Sequence, residues 1–110
     1  MATAISREEL KAKIDVGEDF ILVDVLSADS YQSGHLPGAI NLPVSEIESL
    51  APQRLPKDKD IIVYCASFEC QASPTAARKL EQLGHTRVID YEGGLRDWKE
   101  AGYPLESPAG

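Results

Sequence analysis

The stretch IIVYCASFECQASPTAARKL, residues 61–80, contains the pattern that decides the fold. Its first four residues are β-branched or aromatic, which is typical of a buried strand, and Cys65 follows at once. A loop is predicted over 66–72, and the apolar spacing of residues 76–83 then predicts a helix. Ligands of α/β sheets bind beyond the carboxyl ends of strands. The sequence therefore places Cys65 in a candidate site.

Apolar runs and amphipathic stretches alternate on both sides of this segment. Further strands are predicted at 20–24, 39–42 and 87–91, and further helices after Ser6, over 27–33 and over 95–101. Short links between strands and helices predict an α/β fold of three layers, with a mostly parallel central sheet and helices on both faces. With 110 residues and no Pro/Gly/Ser-rich linker, the chain fits a single domain over 1–110.

Capping patterns predict where the helices begin. Ser6-Arg7-Glu8-Glu9 and Ser45-Glu46-Ile47-Glu48 both match the capping box, and Ser73-Pro74 puts a serine cap before a proline at the first helical position. A polar connection is expected over 52–59. His85 follows a helix stop and is expected to be solvated.

Composition argues against several classes of function. Eleven basic and eighteen acidic residues give a formal charge of −7 without a basic cluster, so neither nucleic acid nor an anionic membrane is expected as a partner. Apolar runs reach about five residues, far short of a membrane span. Two cysteines are too few for a disulfide scaffold, and the first residues lack a secretory signal pattern, so we expect a cytoplasmic protein. Neither histidine has cysteines at zinc spacing, so no metal site is predicted.

A thiol between a strand end and a helix start faces backbone amides and the positive end of the helix dipole. This placement predicts that the pKa of Cys65 is lowered from about 8.5 toward neutrality, which would make the residue a nucleophile. The alternative is that Cys65 is a buried core side chain. The polar residues that follow it favour a functional site, because core packing does not require them: Ser67, Glu69, Gln71 and Ser73.

Three other segments carry motifs at compatible spacing: VDV at 23–25 with YQSGHLPGAINLP at 31–43, YEGGLRDW at 91–98, and AGYP at 101–104. Together with Tyr64-Cys65 they make the chain similar to single-domain rhodanese-like proteins, a family that transfers sulfur through a cysteine persulfide. The resemblance implies that Cys65 is the nucleophile, that a sulfur donor and a thiol or protein acceptor are the partners, and that no cofactor takes part. It also implies a substrate-binding loop made of Ala66, Ser67, Phe68, Glu69, Cys70, Gln71 and Ala72.

The loop differs from the family's common pattern of six residues with a central glycine and an arginine near the end. It is about two residues longer, contains no arginine, lysine or glycine, and adds Glu69. Leu26 also replaces an arginine that the family often has after the aspartate. Loss of a fixed cation weakens the binding of a dianion by about 1–3 kcal/mol, so poor turnover of thiosulfate is expected and a neutral or protein-bound donor is favoured.

Other residues are also candidates for the site, and Cys70 among them has two interpretations. Cys70 is either a resolving thiol that closes a reversible bridge with Cys65 or a side chain that points inward beneath the loop. Asp24 is expected to hydrogen-bond amides near the site, and His35 to be a structural loop residue. Arg78 and Arg96 are the candidates for supplying positive charge.

Three functions stay open at the level of the sequence. The first is a sulfurtransferase or persulfide carrier acting through Cys65. The second is a non-catalytic or redox-sensing interaction module that uses the pair Cys65 and Cys70. The third is a phosphatase or arsenate reductase, which the longer loop would suit but which needs an arginine where Gln71 and Ala72 stand.

Overall fold

A computed structural model describes residues 2–107 of the chain. Strands and helices alternate through most of this range. In chain order they are β1 (Thr3–Ala4), α1 (Arg7–Val16), β2 (Phe20–Asp24), α2 (Ala28–Ser33), β3 (Ile40–Asn41), a 3-10 turn (Val44–Glu46), α3 (Ile47–Arg54), β4 (Asp60–Tyr64), α4 (Ala72–Gln82), β5 (Val88–Tyr91) and α5 (Gly94–Glu100).

The strands form one parallel sheet in the order β1-β5-β4-β2-β3. In the register of the central strands, Tyr64 pairs with Asp24 on one side and with Tyr91 on the other. Their carboxyl ends therefore meet at one edge of the sheet, and Cys65 lies directly beyond it. The predicted α/β fold with a mostly parallel sheet is confirmed.

Each face of the sheet carries its own apolar core. Val23, Val63 and Cys65 pack on one face against α3 and α4, whereas Leu22, Ile62 and Tyr64 pack on the other against α1 and α5. Successive side chains of a strand point to opposite faces, so continuous apolar runs are expected in strands covered on both sides. The predicted helix layers on both faces are confirmed.

The helix starts were predicted less well than the helices themselves. The capping box at Ser6 is present, with Glu9 as its partner. The box predicted at Ser45 is wrong, because the chain there forms a 3-10 turn and α3 follows without a side-chain cap. Helix α3 also continues to Arg54 and contains Pro52, so the polar connection is shorter than predicted.

Helix α4 begins two residues earlier than its sequence pattern indicates. Gln71 precedes the first turn without a side-chain cap, and Ser73 lies inside that turn, where it is buried. The serine therefore faces the strand ends instead of closing the helix terminus. The short edge strand β1 was not predicted, since two exposed residues give no strand pattern.

Among the described residues, no helix has the length and apolar character needed to cross a membrane. The predicted single domain over 1–110 includes residue 1 and residues 108–110, which lie outside the described residues.

Candidate active-site loop

The loop of residues 65–71 joins the carboxyl end of β4 to the start of α4. Helix α5 anchors the first two residues of this loop. Leu95 N–H donates to the Cys65 carbonyl over 3.0 Å, and Arg96 N–H donates to the Ala66 carbonyl over 2.9 Å. Gly94 makes this approach possible: a Cβ at this position would collide with the Cys65 carbonyl oxygen. The closing glycine motif therefore has a direct role in shaping the loop.

The Cys65 side chain lies beneath the loop, and only 1% of the residue is exposed. Its sulfur accepts a hydrogen bond from the Ser73 backbone amide, with 3.4 Å between N and Sγ. Burial raises the pKa of the Cys65 thiol, a hydrogen bond to Cys70 raises it further, and the contacts with Ser73 offset this only in part. Burial thus disfavours the thiolate form of Cys65.

The Cys70 thiol lies against Cys65 and is only partly buried. A turn brings it back toward the strand end, because Cys70 N–H donates to the Ser67 carbonyl over 3.1 Å. Burial acts to raise the pKa of Cys70, but hydrogen bonds from the Cys65 thiol and from the backbone amides of Ala66 and Ala72 outweigh it, so the pKa is lowered. Asp90 opposes this effect weakly through its charge.

The expected lowering of the Cys65 pKa is therefore wrong, because burial raises it, whereas the pKa of Cys70 is lowered. Of the nearby amides, that of Ser73 donates to the Cys65 sulfur over 3.4 Å, and those of Ala66 and Ala72 lower the pKa of Cys70. A thiolate is stabilised where hydrogen-bond donors meet it and where water still reaches it. Cys70 satisfies both conditions, whereas Cys65 satisfies only the first.

The remaining loop residues present a polar, acidic rim. Phe68 is 67% exposed, and the Glu69 carboxylate accepts a hydrogen bond from Ser67, which lowers the pKa of Glu69. Arg96 lies beside Glu69, but its guanidinium is paired with Glu100 at 3.3 Å. Ala66 and Gln71 are exposed, and Ala72, which was predicted in the loop, is the half-buried first residue of α4.

Two residues beneath the loop make contacts that the sequence analysis did not predict. Asp90, on β5, is 5% exposed and one of its carboxylate oxygens has no hydrogen-bond partner. Burial raises the pKa of Asp90, while a hydrogen bond from the Ser73 side chain lowers it in part. The signal for Asp90 was an acid inside the otherwise apolar run 88–91. Ser73, which contacts both Cys65 and Asp90, was assigned instead to a helix cap.

Asp24 and His35 lie at the neighbouring strand end. Asp24 is fully buried, and it accepts hydrogen bonds from the Leu26 amide and the Tyr64 hydroxyl, each over 2.9 Å. Burial raises the pKa of Asp24. The His35 ring stacks on Tyr31 with ring centres 3.8 Å apart. In these contacts Asp24 holds the Leu26 amide and His35 packs on Tyr31 of α2. Neither contact involves the 65–71 loop.

The structure also gives the surroundings of His85 and Arg78. His85 is 3% exposed, and neither ring nitrogen has a hydrogen-bond partner, so the expectation that it is solvated is wrong. Arg78 is exposed, donates to the Thr75 hydroxyl over 3.4 Å, and lines a cleft together with Asp90 and Pro74. Within residues 2–107 there is no group of three or more side chains arranged to hold a metal ion.

The family model described as "Rhodanese-like domain" matches residues 6–101. A solved structure of the BH2092 protein from Bacillus halodurans superposes with a TM-score of 0.90, is 34% identical, and the match covers 96% of this chain and 77% of that one.

Curated relatives have related names. A "Sulfurtransferase" from Allochromatium vinosum is 33% identical over 110 residues, which is the full length of both chains. The "HTH-type transcriptional regulator Rv0324" of Mycobacterium tuberculosis is 38% identical over 96% of this chain and 46% of its own length. The "Putative sulfur carrier protein YrkF" of Bacillus subtilis is 34% identical over 86% of this chain and 49% of its own length. The chain thus spans about half the length of these last two relatives.

Proposed function

The chain belongs to the rhodanese-like domain family, and from this premise we propose that it is a sulfurtransferase or persulfide carrier that moves sulfane sulfur through the cysteines of the 65–71 loop. Relatives named as a sulfurtransferase and a sulfur carrier support such a role in general terms. The partners are then a sulfur donor and a thiol or protein acceptor, and the reaction needs no cofactor. A reducing cytoplasm is the proposed location, where both thiols stay free.

One observation supports this function above the others: two thiols lie together where backbone amides converge. Family position favours Cys65 as the persulfide residue, since it directly follows β4. The Ser73 amide at its sulfur, and the amides of Ala66 and Ala72 at the Cys70 sulfur, are donors of the kind that stabilise a sulfur anion. Transfer of sulfane sulfur needs such stabilisation both for the attacking thiolate and for the persulfide it becomes.

The charges around the loop favour a donor other than thiosulfate. The loop itself has no arginine or lysine, and Glu69 places a carboxylate at its rim. Arg96, the basic residue beside Glu69, is already paired with Glu100. A dianion therefore meets no unpaired guanidinium at the loop among these residues, whereas a polysulfide or a protein persulfide reacts through its sulfur atoms.

The proposal is tested by mass spectrometry of the reduced chain after incubation with polysulfide. We expect a gain of one sulfur atom that cyanide removes and that the double variant Cys65→Ser/Cys70→Ser abolishes. Ser45→Ala, at an exposed serine outside the loop, is the control and should load as the wild type does. A wild-type chain that never gains sulfur from polysulfide or from a small persulfide contradicts the proposal.

A second candidate function is a redox-sensing interaction module. The hydrogen bond between Cys65 and Cys70 favours it, because the two sulfurs already lie together. Mild peroxide should then close a bridge that a dithiol reductant reopens, and polysulfide should leave no added sulfur on either residue. The phosphatase alternative lacks the arginine that it needs where Gln71 and Ala72 stand. Hydrolysis of an aryl phosphate would be its test.

A further inference from the structure

A buried carboxyl group lies beside the loop without a full set of partners. Asp90 on β5 is 5% exposed, and one of its carboxylate oxygens has no hydrogen-bond partner. An unpaired buried oxygen destabilises a folded protein, so packing gives no reason for an acid at this position. Sulfur transfer by the two loop thiols alone gives Asp90 no role either.

The register of the sheet brings Asp90 to the face that carries Cys65. Asp90 pairs with Val63 of β4, and alternate residues of a strand share a face. Val63 and Cys65 both belong to the apolar core beneath α4, and so does Val88, two residues before Asp90. The Asp90 side chain therefore points toward α4, on the same side of the sheet as the Cys65 thiol.

Ser73, in the first turn of α4, connects the two groups. It is 1% exposed, and its backbone amide donates to the Cys65 sulfur over 3.4 Å. Its side chain is hydrogen-bonded to both the Cys65 sulfur and the Asp90 carboxyl group. A serine hydroxyl carries a single proton, so it cannot donate to both of them at once. The protonation of Asp90 therefore determines which of the two receives the Ser73 proton.

We propose that Asp90 accepts the Cys65 proton through the Ser73 hydroxyl when Cys65 attacks a sulfur donor. While Asp90 is ionised, the Ser73 hydroxyl donates to its carboxylate and accepts from the Cys65 thiol. Once Asp90 is neutral, its carboxyl donates to Ser73, and the hydroxyl donates to the Cys65 sulfur. Asp90 is a positioning residue, because it acts on the sulfur only through Ser73. The inference rests on the proposed function and adds the group that removes the thiol proton.

The step balances in atoms, electrons and protons. The Cys65 sulfur attacks the outer sulfur of a donor persulfide; a sulfur–sulfur bond to Cys65 forms, the donor's sulfur–sulfur bond breaks, and the donor leaves as a thiolate. The Cys65 sulfur is oxidised to a persulfide as the donor's inner sulfur is reduced, so no other oxidant takes part. The Cys65 proton moves to the Ser73 oxygen while the Ser73 proton moves to Asp90.

A cleft beside α4 gives the proton a route to water. Asp90 lines this cleft, which has a volume of about 500 Å³. The rest of the lining comes from α4, from Glu92 and from Ala2. Neutral Asp90 can thus return its proton to water through the cleft while a sulfur donor occupies the 65–71 loop.

The surroundings of Asp90 make it a stronger base than an exposed aspartate. Groups that titrate or carry charge face it from the loop, from α4 and from the end of β5: Cys70, Arg78, Glu81 and Glu92. Strands β1 and β4 place Ala4 and Val63 beside it, neither of which titrates. Burial raises the pKa of Asp90 above 3.8, which brings it closer to the pKa of a thiol and makes proton transfer less unfavourable.

The charge of Asp90 and its role as proton acceptor have opposite effects on Cys65. A nearby negative charge disfavours a thiolate, so by charge alone Asp90→Asn should make Cys65 react faster. Loss of the proton acceptor should make Cys65 react more slowly below the pKa of the thiol, where the thiol would have to ionise first. The direction of the change in acid therefore distinguishes the two effects.

The experiment measures how the reaction rate of Cys65 depends on pH. The full chain carries Cys70→Ser, so that each modification reports on Cys65, and intact mass follows polysulfide loading and iodoacetamide labelling from about pH 5.5 to 9. With Asp90 present, we expect the rate to decline only slowly toward acid. With Asp90→Asn added, it should fall about tenfold per pH unit and be about 10²-fold lower at about pH 6, the lower end of general-base catalysis.

Further variants separate the relay from charge and from folding. Ser73→Ala should give the same steep profile, and combining it with Asp90→Asn should add no further loss, because both changes break one path. Glu92→Gln is the matched control: it removes an exposed carboxylate from the same cleft and should keep the shallow profile. Urea denaturation of each variant checks that a slower reaction is not loss of fold. Peptide mapping of the wild-type chain repeats the labelling with Cys70 in place.

The outcomes separate this inference from the proposed function. If Asp90→Asn reacts as fast as its parent at about pH 6, or faster, the inference is overturned, because Asp90 then acts only through its charge. A Glu92→Gln variant as slow as Asp90→Asn overturns it as well. A chain that never gains sulfur overturns the proposed function, whereas iodoacetamide labelling still decides whether Asp90 removes the Cys65 proton.

Discussion

At the scale of single residues, the site depends on where a proton lies between two thiols. Burial raises the pKa of Cys65, whereas hydrogen bonds to its sulfur lower the pKa of Cys70. The groups that face Cys70 are the Cys65 thiol, the amides of Ala66 and Ala72, and the more distant carboxylate of Asp90. Removal of one of the hydrogen-bond donors should raise the pKa of Cys70, and removal of the Asp90 charge should lower it further.

Alkylation gives the first prediction. Iodoacetamide should label Cys70 before Cys65, and at a lower pH, because thiolates are the reactive form. Cys65→Ala removes a donor to the Cys70 thiolate, so the pKa of Cys70 should rise and its labelling curve should move to higher pH. Peptide mapping across a pH series measures both. Ser45→Ala, exposed and outside the loop, is the control; earlier labelling of Cys65 would contradict the assignment.

Asp90 gives the second prediction, on stability. Burial raises the pKa of Asp90 above 3.8, so the folded protein binds this proton more readily than the unfolded chain does. The free energy of unfolding therefore decreases as pH rises through the window above 3.8, where the buried carboxyl must ionise. Asp90→Asn should be more stable than the wild type at pH 7, by about 1 kcal/mol, the scale of an unpaired buried oxygen.

Urea denaturation at several pH values measures this difference, which should shrink as the pH approaches 3.8. Asp58→Asn provides a matched control at an exposed aspartate. If Asp90→Asn were less stable at pH 7 and unchanged in acid, the prediction would be wrong, because the ionised carboxylate would then stabilise the folded protein.

At the scale of elements, the loop takes its shape from α5 as much as from β4 and α4. The start of α5 donates two backbone hydrogen bonds to the first two loop carbonyls. Gly94 has φ +64° and lets the two backbones come into contact. A motif thirty residues further along the chain thus fixes the position of the Cys65 backbone.

Gly94→Ala gives the third prediction. It combines a left-handed conformation with a collision at the Cys65 carbonyl, so we expect a loss of about 2–5 kcal/mol of unfolding free energy and slower sulfur loading. Gly102→Ala is the matched control: its φ is +79°, but nothing lies within 4 Å of the added Cβ. That variant should lose only about 1–2 kcal/mol and load normally. Equal losses would show that the contact with the loop is unimportant.

At the scale of the whole molecule, the net charge of −7 sets how anionic donors approach. Like charges reduce the local concentration of a dianion, and added salt screens the effect beyond a Debye length of about 10 Å at 0.1 M. Under the proposed function, we therefore expect the surface charge to disfavour dianionic donors.

Thiosulfate gives the fourth prediction. Its rate of sulfur transfer to cyanide should be low and should increase with ionic strength, because screening weakens the repulsion. Glu69→Gln removes the carboxylate at the rim and should raise the rate about two- to fivefold. Glu18→Gln, remote from the loop, serves as the control. A high rate that falls with added salt would mean that a cation does bind this donor.

Much of the fold was predictable because its signals are local. The runs 20–24 and 61–64 predicted the two central strands, and the Ser6 capping box predicted the start of α1, since each depends only on neighbouring residues. The start of α4 was misplaced because a serine–proline pair usually marks a helix start, whereas Ser73 is drawn inward by Cys65 and Asp90. His85 was misjudged for the same reason, because its burial comes from distant packing.

The order of the elements along the chain after β1, the two-faced sheet and the position of Cys65 at a strand end follow from the sequence by itself, because hydrophobic period and turn residues are properties of short segments. The opposite pKa shifts of the two thiols were decided only by the tertiary structure. These shifts depend on the depth of Cys65 under α4, on amides that the 65–71 loop turns toward Cys70, and on a carboxyl from β5. Electrostatic free energies depend on distance and burial in space, and neither is encoded in the spacing of residues along the chain.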